Sequence, residues 1–311
     1  MKAVRFHQYG GPEVLRYEEA DRPRPAAGQV LVEVAATSFN PVDAAIRAGY
    51  LQEVFPVALP HTPGIDVAGT VIELGDGVQG HAVAERVIAY LPMLLGGAAA
   101  EFAVVPAELV APAPTTIPLA EAAALPAAAL TAWQALFDHA DLRADQRILV
   151  NGAGGGVGGF AIQLAKQAGA TVLATASARS TEAVRAAGAD RIVDYTATAV
   201  TTAVTEPVDV VLNLANIGEP DMAALTGLVR SGGTILSTAT PAVGDAGRGV
   251  RGLGMQLRPD VTQLAAITKK VDTGELRVDV SAGYPLAEIA AVHQLSAAGR
   301  IRGKVVLTTT A

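Results

Sequence analysis

The segment 148–159 reads Ile-Leu-Val-Asn-Gly-Ala-Gly-Gly-Gly-Val-Gly-Gly and joins a short apolar run to a dense cluster of glycines. The apolar run is typical of a buried strand. After the cluster, apolar residues recur at helical spacing from Val157 to Ala168, and Gly169 suits the end of a helix. The pattern therefore predicts a strand, a glycine loop and a helix in immediate succession.

This succession has a chemical use. Glycines permit a tight turn and let backbone N–H groups approach a pyrophosphate, and the start of the helix adds unpaired donors and partial positive charge. A literal G-x-G-x-x-G falls on Gly154, Gly156 and Gly159, although so many glycines leave the register ambiguous. The alternative is a plain glycine-rich turn; the strand and helix on either side favour a dinucleotide site.

The choice of dinucleotide depends on the end of the next predicted strand. An NAD site places an Asp or Glu there to accept from the ribose 2′-hydroxyl. Here the segment Thr175–Ser180 has no carboxylate before Glu182, whereas Ser177 can donate and Arg179 offers a guanidinium suited to a phosphate. The segment favours NADP. The alternative is that Arg179 is only a solvated residue at the start of a helix.

Outward from this loop, the chain alternates strands and helices from Arg147 onward, which predicts βαβ units on a parallel sheet covered on both faces. Predicted strands there are 171–175, 191–193, 208–212 and 234–237, and predicted helices are 181–187 and 220–229. The first third is mostly β, with strands at 29–35 and 66–73. A helix over 119–138 should be divided by Pro126. Helices over 261–273 and 286–298 and a strand at 304–308 close the chain.

Composition limits the function classes. A chain of 311 residues, 50% hydrophobic, is long enough for two domains, each with its own core. The 30 acidic and 23 basic side chains give a net charge of −7, with no basic run for nucleic acid or an anionic membrane. With no cysteine, disulfides, thiol catalysis and cysteine-bound metals are excluded. The amino terminus lacks the apolar run of a signal peptide, so we expect a soluble, cytoplasmic protein.

Several short motifs occur in a particular order along nearly the whole chain. They are Asn40-Pro41-Val42-Asp43 with Arg47–Tyr50, Pro63–Val71, Ala124-Leu125-Pro126, Leu130–Trp133, Gly155–Gly158, Gly188-Ala189-Asp190 with Asp194-Tyr195, and Gly303–Val306. In this order and spacing, the chain resembles the zeta-crystallin-like quinone oxidoreductases, a zinc-independent branch of the medium-chain dehydrogenase/reductase superfamily. The resemblance implies an α/β protein: a partly β, GroES-like catalytic domain (1–120 and 262–311) and a Rossmann domain, doubly wound around a parallel sheet (121–261).

The resemblance also implies where the cofactor and substrate are handled. NADP would lie in a cleft and contact Asn40 and the cofactor-binding residues Thr131, Gly155, Gly156, Val157, Gly158, Ser177, Arg179, Tyr195 and Lys304. Without the resemblance, Tyr195 would be taken for a packing residue and Lys304 for a surface charge. The catalytic residues would be Asn40 and Tyr50 as donors in the cleft, with Asp43 orienting them. A homodimer, formed through the sheet edge of the nucleotide domain, is expected on the same ground.

A metal site is not expected. Asn40 stands in the region of the first zinc-ligating cysteine of the zinc-dependent relatives, and Ile65 stands where their histidine would be. The histidines are scattered without ligand spacing and are expected at the surface or in loops. One departure from the family is Ala84-Glu85-Arg86-Val87 in place of a Gly-Asp-Arg-Val turn, which predicts an altered surface turn.

The expected reaction is hydride transfer from NADPH to a quinone or an α,β-unsaturated carbonyl compound. Conjugation already makes the accepting carbon electrophilic, so the protein mainly has to align the reactants and stabilise the developing oxyanion. Tyr50 or water would deliver the proton. The alternatives are an enoyl-thioester reductase, a reductase tailoring a secondary metabolite, and a non-catalytic NADPH-binding protein. Pocket shape, which decides among substrates, cannot be assembled from the sequence.

Overall fold

A computed structural model describes residues 1–309; residues 310 and 311, the end of the predicted 262–311 segment, lie outside the described residues. The chain divides into two compact units. Unit 1 comprises Met1–Ala127 and Pro259–Ala311, and unit 2 comprises Ala128–Arg258. The sequence predicts these divisions at 120/121 and 261/262. Within the described residues, no helix is both long enough and apolar enough to span a membrane.

The strands of the structure are numbered in chain order. They are β1 (Lys2–Arg5), β2 (Arg16–Glu19), β3 (Gln29–Ser38), β4 (Asp66–Leu74), β5 (Arg86–Tyr90), β6 (Phe102–Pro106), β7 (Ala111–Pro112), β8 (Arg147–Asn151), β9 (Thr171–Ala176), β10 (Arg191–Asp194), β11 (Val208–Asn213), β12 (Val229–Ser237), β13 (Arg251–Gly254), β14 (Val280–Pro285) and β15 (Lys304–Thr308).

The α-helices follow the same numbering. They are α1 (Pro41–Ala48), α2 (Leu119–Ala122), α3 (Pro126–Trp133), α4 (Gly158–Gln167), α5 (Thr181–Ala186), α6 (Val200–Ala203), α7 (Glu219–Gly227), α8 (Val261–Asp272) and α9 (Ile289–Ala297). A π-helical segment, Gln134–His139, continues α3. Short 3₁₀ turns lie at Pro12–Val14, Ala107–Leu109, Ala246–Arg248 and Leu286–Glu288.

Unit 1 is built on a seven-stranded sheet in the order β14-β15-β3-β4-β5-β7, with β6 also pairing with β3. β3 is the centre of this sheet because it pairs with β4, β6 and β15, in each case antiparallel. Valines on β3, β4 and β5 form one fully buried cluster. A second cluster joins Ile46 of α1 to Ile289 and Val292 of α9 and to Leu307 of β15. Burial of these side chains holds α1 against the strands.

Unit 2 is a six-stranded sheet in the order β10-β9-β8-β11-β12-β13, parallel throughout. The chain runs outward from β8 through β9 to β10, and then returns to the other side of β8 at β11. This is the doubly wound order in which ligands bind beyond the carboxyl ends of the strands, where the winding reverses. Buried Leu149, Leu173 and Val211 form its core with residues of α7. The predicted fold class is confirmed.

Pro126 divides the predicted helix 119–138, as expected. The proline is the first residue of α3, where a missing N–H costs nothing because that group has no partner inside the helix. α2 ends before it, at Ala122. The strands that the sequence analysis missed are β1, β2, β5, β6, β7, β13 and β14. These are mostly short, so they carry too few residues for a clear alternation.

The departure at Ala84 has a conformational consequence. Ala84 is exposed and adopts φ 72°, the left-handed region that disfavours a Cβ atom. The glycine of the usual family turn would have no such cost. The strain of this turn therefore falls on a surface residue.

We expect Ala84→Gly to raise the free energy of unfolding by about 1 kcal/mol, since relief of the left-handed strain outweighs the added entropy of a glycine in the unfolded chain. Ala82→Gly, in the same loop but without a positive φ, is the matched control and should lower stability slightly. Thermal melts of the three proteins measure the difference. Equal or opposite shifts for the two variants would contradict the assignment of strain to Ala84.

Candidate functional site

A buried carboxylate, Asp66, is the centre of the polar cluster in unit 1. Its Oδ2 atom accepts from Ser38 Oγ, from Asn40 Nδ2 at 2.8 Å and from Lys304 Nζ at 3.3 Å. Its Oδ1 atom accepts from the backbone N–H of Ala127 at 2.7 Å. The residue has no exposed surface. Four donors thus replace the water that the charge loses on burial.

Strand pairing brings these groups together. Ser38 ends β3, Asp66 begins β4 and Lys304 begins β15, while antiparallel pairing aligns Ser38 with Val306. Asn40 is the residue before α1. Each polar side chain therefore lies at the end of an apolar strand or beside a helix start, where the chain changes direction and the core gives way to polar groups.

Asn40 and Lys304 bond to one another inside this cluster. Lys304 Nζ donates to Asn40 Oδ1 at 3.0 Å and to the carbonyl oxygen of Phe39 at 3.3 Å, in addition to Asp66. Lys304 is 3% exposed and Asn40 is 8% exposed. Lys304, expected to contact the cofactor, thus spends all three of its N–H donors on protein oxygens. Lys304 is therefore a buried residue of unit 1. Its contact with the cofactor stays a prediction.

Asp43 is also buried, but its partners differ from those that the sequence suggested. Its Oδ1 atom accepts from the backbone N–H of Gly64 at 2.8 Å, and its Oδ2 atom has no partner. The carboxylate that orients Asn40 is Asp66. Burial raises the pKa of Asp43 to about 7, and the charge of Asp66 raises it further. Hydrogen bonds from the N–H groups of Gly64 and Ile65, and the positive charge of Lys304, lower this pKa but do not cancel the effect of burial.

Tyr50 lies outside this cluster. It follows Gly49, the left-handed residue that ends α1, and its side chain is 84% exposed. A different phenol belongs to the buried region: Tyr90 of β5 pairs with Asp66 across the sheet and is 3% exposed. Burial and the charges of Asp66 and Asp43 raise the pKa of Tyr90. The phenol of Tyr90 therefore keeps its proton.

Sequence reasoning missed Asp66, Ser38 and Tyr90 as site residues. Asp66 does lie in the quoted Pro63–Val71 motif, so a signal was present. Its partners come from distant parts of the chain, and nothing in the local sequence connects them. Ser38 and Tyr90 carry no motif at all.

In unit 2, the glycine loop joins β8 to α4 at the point where the sheet reverses its winding. Gly152 adopts φ 81° and donates its N–H to Thr175 Oγ1 at 2.8 Å. Among the described residues, the N–H groups of Gly154, Gly156 and Val157 have no acceptor. The loop thus presents several unpaired donors at a helix start, which is the arrangement that binds phosphate.

The structure resolves the register that the glycine run left ambiguous. Gly152 needs its positive φ, and a Cβ on Gly158 would lie 2.2 Å from the carbonyl oxygen of Ala153. Gly159, the last glycine of the literal motif, would accept a Cβ freely. The turn glycine is therefore Gly152 and the close-packing glycine is Gly158. Of the literal match, Gly154 is restricted by the side chain of Ser180 and Gly159 is not restricted.

The residues predicted for the adenosine side lie at the carboxyl ends of β9 and β10. Ser177 follows β9 and begins a turn that contains the exposed Arg179. Tyr195 follows β10, is 52% exposed and donates its N–H to the carbonyl oxygen of Ala176 at 3.3 Å. The fold therefore brings Ser177 and Tyr195 onto neighbouring strand ends. Thr131 lies apart from them in sequence, within α3.

A ladder of buried amides and hydroxyls underlies these strand ends. Thr175 Oγ1 donates to Asn151 Oδ1 at 3.0 Å, Asn151 Nδ2 to Asn213 Oδ1 at 2.8 Å, and Asn213 Nδ2 to Ser237 Oγ at 3.0 Å. These residues belong to four adjacent strands. Their bonds fix the carboxyl edge of the sheet on which the glycine loop rests.

The described residues contain no group of three or more histidine or carboxylate side chains placed to hold a metal ion. The expectation of surface or loop histidines is wrong for His293, which is buried within α9; His61 lies outside the named helices and strands, but it is buried too. His61 is 8% exposed and His293 is 2% exposed, and burial lowers the pKa of His61 to about 4 and that of His293 to about 3. Both are neutral core residues; His293 packs edge-on against Phe39.

Comparison with known proteins identifies the family. Residues 26–115 match the model of the alcohol dehydrogenase GroES-like domain, and residues 187–307 match the model described as zinc-binding dehydrogenase. The chain is 35% identical to a chloroplast envelope quinone oxidoreductase homolog from Arabidopsis thaliana, over 99% of this chain and 98% of the relative. It is 34% identical to an NADPH-dependent alkenal/one oxidoreductase from the same plant, over 99% of this chain and 79% of that protein.

Among solved structures, the quinone oxidoreductase from Coxiella burnetii superposes with a TM-score of 0.91 at 30% identity, covering 99% of both chains. With both of its domains matched, the fold is that of a medium-chain dehydrogenase/reductase. Within that superfamily, the chain belongs to the quinone oxidoreductase family, as the sequence motifs predicted.

The raised pKa of Asp43 predicts an unusual pH dependence of stability. The folded protein holds this proton up to about pH 7, whereas the unfolded chain releases it near its ordinary value of 3.8. Because the folded state binds the extra proton between these values, the contribution of Asp43 to stability falls as pH rises from about 4 to 7. The melting temperature of Asp43→Asn, relative to the wild type, should therefore increase from pH 5 to pH 8.

Asp194→Asn is the control for this measurement. Hydrogen bonds from Thr196 lower the pKa of Asp194, so its contribution is already complete at pH 5 and its variant should show no trend above that pH. Thermal melts at constant ionic strength give both curves. A flat difference for Asp43→Asn would mean that the carboxyl ionises normally.

Proposed function

We propose that this protein catalyses the NADPH-dependent, zinc-independent reduction of a quinone or an α,β-unsaturated carbonyl compound. The observation that carries the proposal is the set of unpaired N–H groups around Gly156, at the reversal point of a parallel sheet. Membership of the quinone oxidoreductase family and the likeness to an NADPH-dependent alkenal/one oxidoreductase support the same reading.

The residues of unit 2 fit a dinucleotide phosphate. Gly154, Gly156 and Val157 would donate to the pyrophosphate, and a Cβ on Gly154 would lie 2.5 Å from Ser180 Oγ. A residue larger than glycine at position 154 would therefore collide with the side chain of Ser180. Ser177 and Arg179 would bind the 2′-phosphate, with Arg179 supplying the charge, and Tyr195 would border the adenosine side.

When bound, the nicotinamide supplies the hydride. Conjugation places positive character on the accepting carbon, so the protein has to orient the acceptor and stabilise the charge that moves to its oxygen. Tyr50 is the donor that we propose for this oxygen. Asn40, which is held by Asp66 and not by Asp43, is the residue that we propose to border this end of the site. Tyr50 has a freely accessible phenol that could donate a proton to the product.

Zinc independence rests on the donor set. The chain has no cysteine, Ile65 provides no ligand atom, and both amide hydrogens of Asn40 are bonded to protein oxygens. Zinc prefers several nitrogen or sulfur ligands converging on one point. We therefore propose that the zinc-binding description of the matched family does not extend to this chain.

The family assignment further favours a homodimer, and we propose that the edge strand β13 of the nucleotide-binding sheet forms its interface. A light-scattering mass near the 31.6 kDa of one chain would contradict the dimer.

The proposed activity is tested by mixing the purified protein with NADPH and a panel of acceptors: a benzoquinone, an enone, an enoyl thioester and a saturated ketone. We expect oxidation of NADPH with the quinone or the enone, none with the saturated ketone, and equal rates after treatment with EDTA. Rates with the thioester alone would favour the enoyl-thioester reductase. Tight binding of NADPH without turnover of any acceptor would favour a non-catalytic role.

The cofactor choice is tested separately with Arg179→Ala. Loss of a charge-assisted bond to the 2′-phosphate should lower kcat/KM for NADPH about 10- to 100-fold and leave kcat/KM for NADH nearly unchanged. Arg185→Ala, which removes another exposed arginine from the following helix, is the matched control. An unchanged NADPH/NADH ratio in Arg179→Ala would refute the assignment.

A further inference from the structure

The side chain of Ser180 lies between two parts of the nucleotide-binding sheet in unit 2. Ser180 is 6% exposed, although serine is a polar residue and this one directly precedes a helix, α5. It is the N-cap residue of α5, a position where a serine hydroxyl usually accepts from the first turn of the helix. Here the hydroxyl makes no such bond. The buried hydroxyl of Ser180 is therefore used in other contacts.

Both hydrogen bonds of this hydroxyl go to Ser177. Ser180 Oγ accepts from the backbone N–H of Ser177 at 3.2 Å and donates to the carbonyl oxygen of Ser177 at 3.4 Å. That carbonyl oxygen also accepts from the N–H groups of Ser180 and Thr181 and from Thr181 Oγ1. The N–H of Ser177, in contrast, has no second acceptor among residues 1–309. Ser180 thus holds the start of the turn 177–180, which carries Ser177 and Arg179.

The other neighbour of Ser180 is Gly154, in the glycine loop. A Cβ atom on Gly154 would lie 2.5 Å from Ser180 Oγ and 2.6 Å from Ser180 Cβ, and apart from the loop's own neighbouring residues no other described atom would lie within 4 Å of it. Gly154 does not have a positive φ, so its backbone conformation would accept a side chain. The side chain of Ser180, rather than the backbone, therefore restricts position 154 to glycine.

This contact follows from the pairing of β8 with β9. The two strands are parallel neighbours, with Val150 aligned to Ala174, so the glycine loop and the turn 177–180 leave the same edge of the sheet side by side. In NADPH, the diphosphate and the 2′-phosphate are attached to one ribose, so covalent bonds limit the spacing between them. A protein that binds both groups has to hold its two sets of donors at a matching spacing.

We infer that Ser180 is a positioning residue that sets the spacing between the glycine loop and the turn 177–180, and that it thereby contributes to a preference for NADPH over NADH. This inference rests on the proposed function, in which the loop binds the diphosphate and Ser177 and Arg179 bind the 2′-phosphate. NADH has no 2′-phosphate and requires only the loop. A change in the spacing therefore weakens the binding of NADPH more than that of NADH.

Ser180→Ala tests this role through the Kd values of NADPH and NADH, measured by fluorescence titration without an acceptor. The variant keeps the Cβ atom that packs against Gly154, but it leaves the N–H of Ser177 without its acceptor. We expect the Kd of NADPH to rise about five- to tenfold, the effect of one neutral hydrogen bond, and the Kd of NADH to change less than about twofold.

Thr181→Ala is the matched control for Ser180→Ala. It also removes a hydroxyl that bonds to Ser177, but this hydroxyl is one of several donors to the carbonyl oxygen, which keeps the N–H groups of Ser180 and Thr181. The ratio of the two Kd values in Thr181→Ala should therefore stay within about twofold of the wild type. Circular dichroism melts establish that each variant is folded.

A second test exchanges size across the contact. Gly154→Ala should force the loop away from the turn 177–180, so we expect the Kd of NADPH to rise about tenfold or more and that of NADH to rise about three- to fivefold. Ser180→Gly removes both atoms that the added methyl group would meet, and glycine is tolerated as an N-cap residue. In the double variant, the Kd of NADH should return to within about twofold of the wild type, while that of NADPH stays about five- to tenfold higher because residue 180 has no hydroxyl.

Two results would overturn the inference. One is an unchanged ratio of the two Kd values in folded Ser180→Ala. The other is a loss of NADH binding in Gly154→Ala that persists in full when Ser180→Gly is added, since the methyl group would then obstruct the cofactor itself. A wild-type protein that does not bind NADPH, or binds it no better than NADH, would instead refute the proposed function. A wild type that prefers NADPH, combined with either overturning result, refutes the inference alone.

Discussion

The structure of unit 1 depends on the burial of one ion pair, Asp66 with Lys304. Neither charge could be buried alone, because transfer of an isolated ion from water costs several kcal/mol even after the protein relaxes. Each residue therefore requires the other, and together they require the hydroxyl of Ser38, the amide of Asn40 and the N–H of Ala127. The pair connects β4 to β15, which lie at opposite ends of the sequence.

This requirement explains why the predicted site residues are not interchangeable donors. Asn40 is oriented by a carboxylate on one side and an ammonium on the other. Asp43, a helical turn away, is buried beside the same charges and has a pKa raised to about 7. Tyr50 lies in solvent. Three residues from one short motif thus have three different environments, although their sequence suggests a single role.

Unit 2 follows a different principle, in which backbone groups rather than side chains make the site. Parallel strands end at one edge, and a ladder from Thr175 through Asn151 and Asn213 to Ser237 holds that edge in register. The glycine loop rests on it with several N–H groups unpaired. Gly152 and Gly158 are needed by geometry, one for its positive φ and one for its contact with the carbonyl oxygen of Ala153. The remaining glycines are under weaker constraint.

The sequence by itself determined the fold class, the glycine loop between a strand and a helix, the division of a long helix at Pro126, and the family. The glycine loop and the divided helix follow from the order of residues within a short window, through helix periodicity, the missing N–H of proline or the freedom of glycine. The fold class and the family follow from the order of elements and motifs along nearly the whole chain. Only the tertiary structure decided which glycines are constrained, which carboxylate orients Asn40, and that Lys304 is an internal residue. Those facts depend on contacts such as that of Asn40 with Lys304, which strand pairing creates between distant segments, and on the loss of water that gives a buried charge its need for a partner.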